Sequence, residues 1–147
     1  MISNANIRYF AAFLLTAGGV VIILSLLMGW FNFIGTVRSG FDLLTDMLNE
    51  QAYSYAPHIA IVVGAVAVIA GILCIRLKTK SIPALAAVLG IVNVIFSALF
   101  AVDCVDAKDY YHFDFISVSP EIGVWVSVAG GIIVAAASVI MLLLSRE

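Results

Sequence analysis

Four long apolar stretches divide the chain, running from about Tyr9 to Trp30, His58 to Ile75, Ile82 to Val102 and Ile122 to Leu144. Each is close to the roughly 20 residues that a helix needs to cross a hydrocarbon layer about 30 Å thick. None carries Asp, Glu, Lys or Arg in its interior. Lipid supplies no partner for a backbone N–H or C=O, so such segments must satisfy their own backbone as helices. The first stretch follows a single basic residue, Arg8. It is longer than the apolar part of a signal peptide and no small-residue cleavage pattern follows it, so a retained helix is expected. Between the stretches lie a minimal link, about Arg76 to Ser81, and two long loops, about residues 31–57 and 103–121. The expected fold class is an all-α membrane protein with one domain over residues 1–147. It is a left-handed antiparallel four-transmembrane-helix bundle with a small extracytoplasmic cap, made of a short amphipathic helix and short strands.

Composition changes the picture only by confirming the solvent. Hydrophobic residues make up 64% of the 147 residues and charged ones 11%, against about 45–50% and about 25% in soluble domains. A soluble domain this small has too much boundary to hide that apolar surface. The basic residues then set the orientation. Arg8, Arg76, Lys78, Lys80 and Arg146 fall on one side of the four stretches, and only Arg38 and Lys108 on the other. The richer side is expected to be cytoplasmic, which places both termini inside a cell membrane. A net charge of −2 and the lack of a basic stripe argue against a nucleic-acid partner.

The two long loops hold nearly all the material outside the helices. Ser39 and Asp42 have the spacing of a capping box. Beyond them Phe41, Leu44, Met47 and Leu48 share one helical face, and Asp42, Asp46, Asn49 and Glu50 the other. Phe31 to Val37 has strand composition, and Tyr111 to Ser119 largely alternates, so the two segments are expected to pair as a small sheet. Trp30 and Trp125 suit an aromatic belt at the headgroup level. Tyr110, Tyr111, Phe113 and Phe115 exceed what a belt needs and form, with the face of Phe41, Leu44, Met47 and Leu48, the candidate partner-binding surface. Neither loop buries these groups alone. Each aromatic removed from water contributes on the order of 2 kcal/mol, so the loops are expected to pack on each other or on a partner.

Candidate chemistry is sparse. Asp103, Asp106 and Asp109 recur every three residues, near Cys104, His112 and Asp114. Oxygen-rich clusters hold Ca²⁺ in other settings, but this spacing matches no such loop, and a solvated acidic face is the plainer reading. Cys74 and Cys104 fall at opposite ends of the spans and are expected to stay unpaired with each other. No cofactor or metal site is expected. Asn93, with Ser97 one turn later, is the most polar side chain inside a span and suits a helix–helix hydrogen bond. Buried ionisable groups, which proton-coupled transport needs, are missing from the spans, and so are positioned titratable groups for acid–base catalysis. Small residues recur at four-residue spacing: Ala60/Gly64, Ala67/Gly71, Ala86/Gly90 and Ser127/Gly131/Ala135. Such ridges bring helix backbones close.

The layout resembles that of claudin-like tetraspan proteins in topology alone. The W…GLW motif and paired cysteine of that family's first loop have no counterpart here, where the loop has Trp30 at its start and no cysteine. The expected function is that of a non-enzymatic scaffold or accessory subunit in the lipid bilayer. It binds other membrane proteins, or forms a homo-oligomer, through its outer loops and small-residue helix faces. The alternative is a small oligomeric channel or transporter for an uncharged or weakly polar solute, with a path lined by Thr16, Asn93, Ser97 and Ser127.

Overall fold

A computed structural model describes residues 3–33, 35–45, 55–111 and 118–144. Ser3 opens the first helix, its hydroxyl accepting the Asn6 N–H at 3.3 Å, and α1 runs Asn4–Ser25. The helix therefore starts ahead of the apolar run and stops before its end. At the stop, the N–H groups of Leu26, Leu27 and Met28 donate to carbonyls three residues back at 3.0–3.1 Å. That tighter pattern closes the last turn. The chain then becomes strand β1, Gly29–Phe33. Trp30, expected at a helix end in an interfacial belt, is instead a fully buried strand residue.

The expected sheet has three strands in the order β2-β1-β3. β2, Thr36–Ser39, returns antiparallel on β1 through a two-residue connection in which Gly35 has φ 79°, a conformation cheap only for glycine. The Asn32 carboxamide oxygen accepts the Gly35 N–H at 3.1 Å. This hairpin lies within a segment whose composition suggested one strand. β3, Val118–Pro120, pairs antiparallel on the other side of β1 and so joins the two long loops through backbone. Pro120 lacks a donor and sits on an edge strand, where none is needed. Of the alternating Tyr111 to Ser119 segment, only its end is strand; Tyr111 is helical and residues 112–117 lie outside the described residues.

Helix α2, Gly40–Thr45, begins with the expected capping box: Asp42 N–H donates to the Ser39 hydroxyl at 3.2 Å, and Ser39 N–H to the Asp42 carboxylate at 3.1 Å. Its described buried residues are Gly40 and Leu43, the latter outside the expected apolar face, while Phe41 is exposed. α3 runs Ala56–Arg76 with Pro57 in its first turn, where the missing N–H costs nothing. A four-residue link, 77–80, leads into α4, Ser81–Tyr111. The apolar part of α4 ends at Val102, but the helix continues through Asp103, Asp106 and Asp109, a stretch expected to be loop. Hydrophobic length sets where a span ends, not where its helix ends. α5 runs Ile122–Leu144.

α1, α3, α5 and the Ser81–Val102 part of α4 are each long and apolar enough to cross a membrane. α1 packs against α3 and α5, and α4 against the same two. The contacts run through glycine. A Cβ on Gly19 would lie 2.7 Å from the Gly64 carbonyl oxygen, and one on Gly90 would lie 3.0 Å from that of Gly131. Thr16 meets Gly71 while Gly19 meets Gly64, so α1 and α3 run in opposite directions. The buried layer is mostly Ala, Gly and Ser, including Ala12, Ala60, Ala67 and Ala137, while large residues such as Ile69, Ile91 and Ile132 point outward.

Gly64→Leu places a side chain against Gly19 and Ile23 and should cost about 1–3 kcal/mol. Ala65→Leu, on the adjacent exposed position, should change stability by less than about 0.5 kcal/mol. Unfolding in detergent micelles measures both; equal effects would show that the Gly19–Gly64 contact does not hold α1 to α3.

Candidate functional site

Trp30 organises the sheet end of the molecule. β1 and β2 lose register between Gly29 and Phe31, so Trp30 is the extra residue of a bulge. Bulges turn a side chain out of the strand's alternation, and here the indole is fully buried. Its Nε1–H donates to the Ser25 carbonyl at 2.8 Å, at the last turn of α1. Two glycines make room for it. A Cβ on Gly40 would come 3.0 Å from Nε1, and one on Gly123 would come 2.5 Å from Cδ1. The Phe100 ring of α4 meets the indole edge-on at 5.6 Å. The Trp30 carbonyl accepts the Glu121 N–H at 3.0 Å, and the Leu26 carbonyl accepts that of Phe41 at 3.1 Å. One residue thus touches α1, α4, the start of α5 and, through Gly40, α2.

Deeper between the helices, Asn93 of α4 donates through Nδ2 to both the carbonyl and the hydroxyl oxygen of Ser127 on α5, each at 3.1 Å. The hydroxyls of Ser97 and Ser127 also lie 3.1 Å apart. All three residues are fully buried. Asn93 Oδ1 has no partner among the described residues, which costs on the order of 1–3 kcal/mol. The cluster joins α4 to α5.

Two further side chains tie ends together. Arg8 donates to the Cys74 carbonyl from Nε and Nη2, both at 3.3 Å, and to the Leu77 carbonyl from Nη2 at 2.8 Å. It caps the C-terminus of α3, where a cation is favourable. His58 joins α3 to α2: its Nε2 is 2.9 Å from the Leu44 carbonyl oxygen. The Tyr55 ring packs on the imidazole at 5.6 Å.

The candidate partner-binding residues divide unevenly. Phe41 is exposed and Leu44 is half-buried against α3's first turn. Tyr110 and Tyr111 belong to the last turns of α4; Met47, Leu48, Phe113 and Phe115 lie outside the described residues. The candidate helix-packing residues come together inside the chain. Gly64 and Gly71 face α1, and Gly90 faces Gly131 and Ala135. Gly131 would meet the Asn93 amide with an added Cβ, and Ser127 bonds Asn93. Gly18 and Gly130 form a further close approach between α1 and α5. Thr16 bonds its own Ala12 carbonyl at 3.0 Å. Among the described residues no three His, Cys, Asp or Glu side chains gather as metal ligands; the side chains of Asp103, Asp106 and Asp109 are not among those described. Buried Trp30 is what sequence reasoning missed. Its signal was the glycine before it, which stops a helix more readily than it continues one.

Trp30→Ala should cost roughly 3–5 kcal/mol and free the sheet from the helices. Trypsin cleavage after Arg38 in β2 should then accelerate by more than about tenfold, because cleavage follows the open population. Trp125→Ala, which removes an exposed ring, should leave that rate unchanged. Equal rates in all three proteins would show that the indole does not anchor the sheet.

No family model matches the chain, and no curated protein or solved structure shows significant similarity to it.

Proposed function

We propose that the chain is a multi-pass membrane scaffold or accessory subunit. In this reading the four helices form an antiparallel bundle across a cell membrane, with both termini cytoplasmic. Support for the membrane comes from an interior of small residues and an exterior of Ile, Val and Leu, the reverse of a soluble core. Support for the orientation comes from the grouping of Arg8, Arg76, Lys78 and Lys80 at the end away from the sheet.

A single observation carries the scaffold reading. Apart from Asn93 Oδ1, the polar groups and glycine ridges inside the helices are engaged with one another, while the anchored cap leaves apolar side chains in the open. Val37 is 53% exposed, Phe41 38% and Tyr55 47%. Exposed aromatic and β-branched residues on a rigid base suit a protein partner. The channel alternative needs Thr16, Asn93, Ser97 and Ser127 to share a path. Three of them are packed and bonded between α4 and α5, and the fourth bonds its own helix, which weighs against it.

Two experiments test the reading. For orientation, single cysteines replace Ser3 or Thr36 in a Cys104→Ser background, and intact cells meet a membrane-impermeant maleimide. Thr36→Cys should label at once and Ser3→Cys only after permeabilisation; the opposite order removes the proposed topology. For function, native size in mild detergent should exceed that of one chain with its micelle, and Val37→Asp with Phe41→Asp should return it to the single-chain value. A native protein that is strictly monomeric and free of partners would contradict a scaffold role.

A further inference from the structure

Arg8 holds more hydrogen-bonding capacity than its structural role consumes. A guanidinium carries five N–H donors. Those on Nε and Nη2 go to the Cys74 and Leu77 carbonyls. The pair on Nη1 meets no acceptor among the described residues. The three bonds also fix the plane of the group, so the remaining Nη1 amino group is held in position rather than swinging on a flexible stem. Arg8 borders a cleft of about 430 Å³ between the start of α1, the end of α3 and the end of α5. Asn4, Tyr9 and Lys78 supply its other polar walls, and Ile75 and Leu144 apolar ones. Among the described residues no carboxylate lines it. Lys78 is exposed and has no partner among the described residues, and Arg76 and Lys80 lie within two residues of it. Two positive groups, one of them fixed, therefore face a space to which the described residues bring no counter-charge. Its apolar walls are continuous with the Ile and Leu surface of the helices.

We propose that this cleft binds the phosphate of an anionic phospholipid. The headgroup phosphate accepts an N–H from Arg8 Nη1 and one from the Lys78 ammonium, and the acyl chains run along Ile75 and Leu144. A charged N–H donor held in place suits a phosphate oxygen, and the Lys78 ammonium adds a second positive charge. The mixed walls suit a ligand that is anionic at one end and apolar at the other, which free phosphate is not. The inference rests on the membrane reading given above, and a lipid held there would brace the α1–α3–α5 junction in the leaflet that is richer in anionic lipid.

Native mass spectrometry of the full chain in mild detergent tests it, with added phosphatidylglycerol, phosphatidylcholine or inorganic phosphate. Phosphatidylglycerol should bind about fivefold or more tightly than phosphatidylcholine, the factor corresponding to one basic side chain at an anionic surface. Lys78→Gln should remove most of that preference, and Lys78→Glu all of it. Lys80→Gln, outside the cleft, should change binding by less than about twofold. Equal binding of the two lipids overturns the proposal. So do equal losses in the Lys78 and Lys80 variants, which would mean diffuse attraction to a basic surface. Displacement of the lipid by millimolar inorganic phosphate would make the cleft a free-phosphate site and overturn the lipid assignment. Failure of the membrane reading shows separately, as release of the chain from membranes by alkaline carbonate without detergent.

Discussion

An indole buried between two glycines decides how the sheet end of this molecule is built. Trp30 projects from a bulge, and its Nε1–H reaches the last turn of α1 at Ser25. Only hydrogen fits at Gly40 and Gly123 on either side of it. A buried donor without an acceptor would cost on the order of 1–3 kcal/mol, so the strand can sit in only one place relative to the helix. From that placement follow the Glu121 and Phe41 backbone bonds, the start of α5 and the start of α2. A short sheet of this kind is marginal alone. It is stable here because its central strand is pinned to the helices by the largest buried side chain in the chain.

The helices follow a different rule. Between apolar helices in lipid there is no hydrophobic gain, so close backbone approach and interhelical hydrogen bonds must supply the attraction. The contacts at Gly19/Gly64, Gly18/Gly130 and Gly90/Gly131 are of the first kind, and the Asn93–Ser127–Ser97 cluster is of the second. Both kinds are made within one chain, with Asn93 Oδ1 left over among the described residues. What remains for other molecules is a lateral surface of large aliphatic residues, an exposed cap and a basic opposite end. This division is the ground on which a role in contact is proposed.

Much of this architecture was legible in the sequence, and the exceptions share a cause. The apolar lengths of α3, α5 and the first part of α4 were readable because a helix able to cross a membrane needs one composition over a fixed length. The ridge residues Gly64, Gly71, Gly90 and Gly131 and the role of Asn93 were readable because small or polar residues in such a span have few other uses. Trp30 was not, since hydropathy scores a buried strand residue and a helix-end residue alike. The α4 extension to Tyr111 escaped for the converse reason: its aspartates end the apolar signal without breaking the helix. The β1–β2 hairpin was hidden because one apolar run covers both strands and only Gly35 marks the turn. The orientation of α2 was missed by about one residue, as the burial of Leu43 in place of Phe41 shows. That face is set by where Gly40 meets Trp30, a tertiary contact with no local trace.

The central claim is that cap and helices form one cooperative unit through Trp30. Amide hydrogen exchange on the whole chain in lipid nanodiscs tests it most directly. The account predicts that the ladder amides of Phe31, Asn32 and Arg38 exchange as slowly as the adjoining last turn of α1 and first turns of α5, because they open only when the indole leaves its slot. Exchange of those strand amides at unprotected rates, with α1 and α5 still protected, would contradict it.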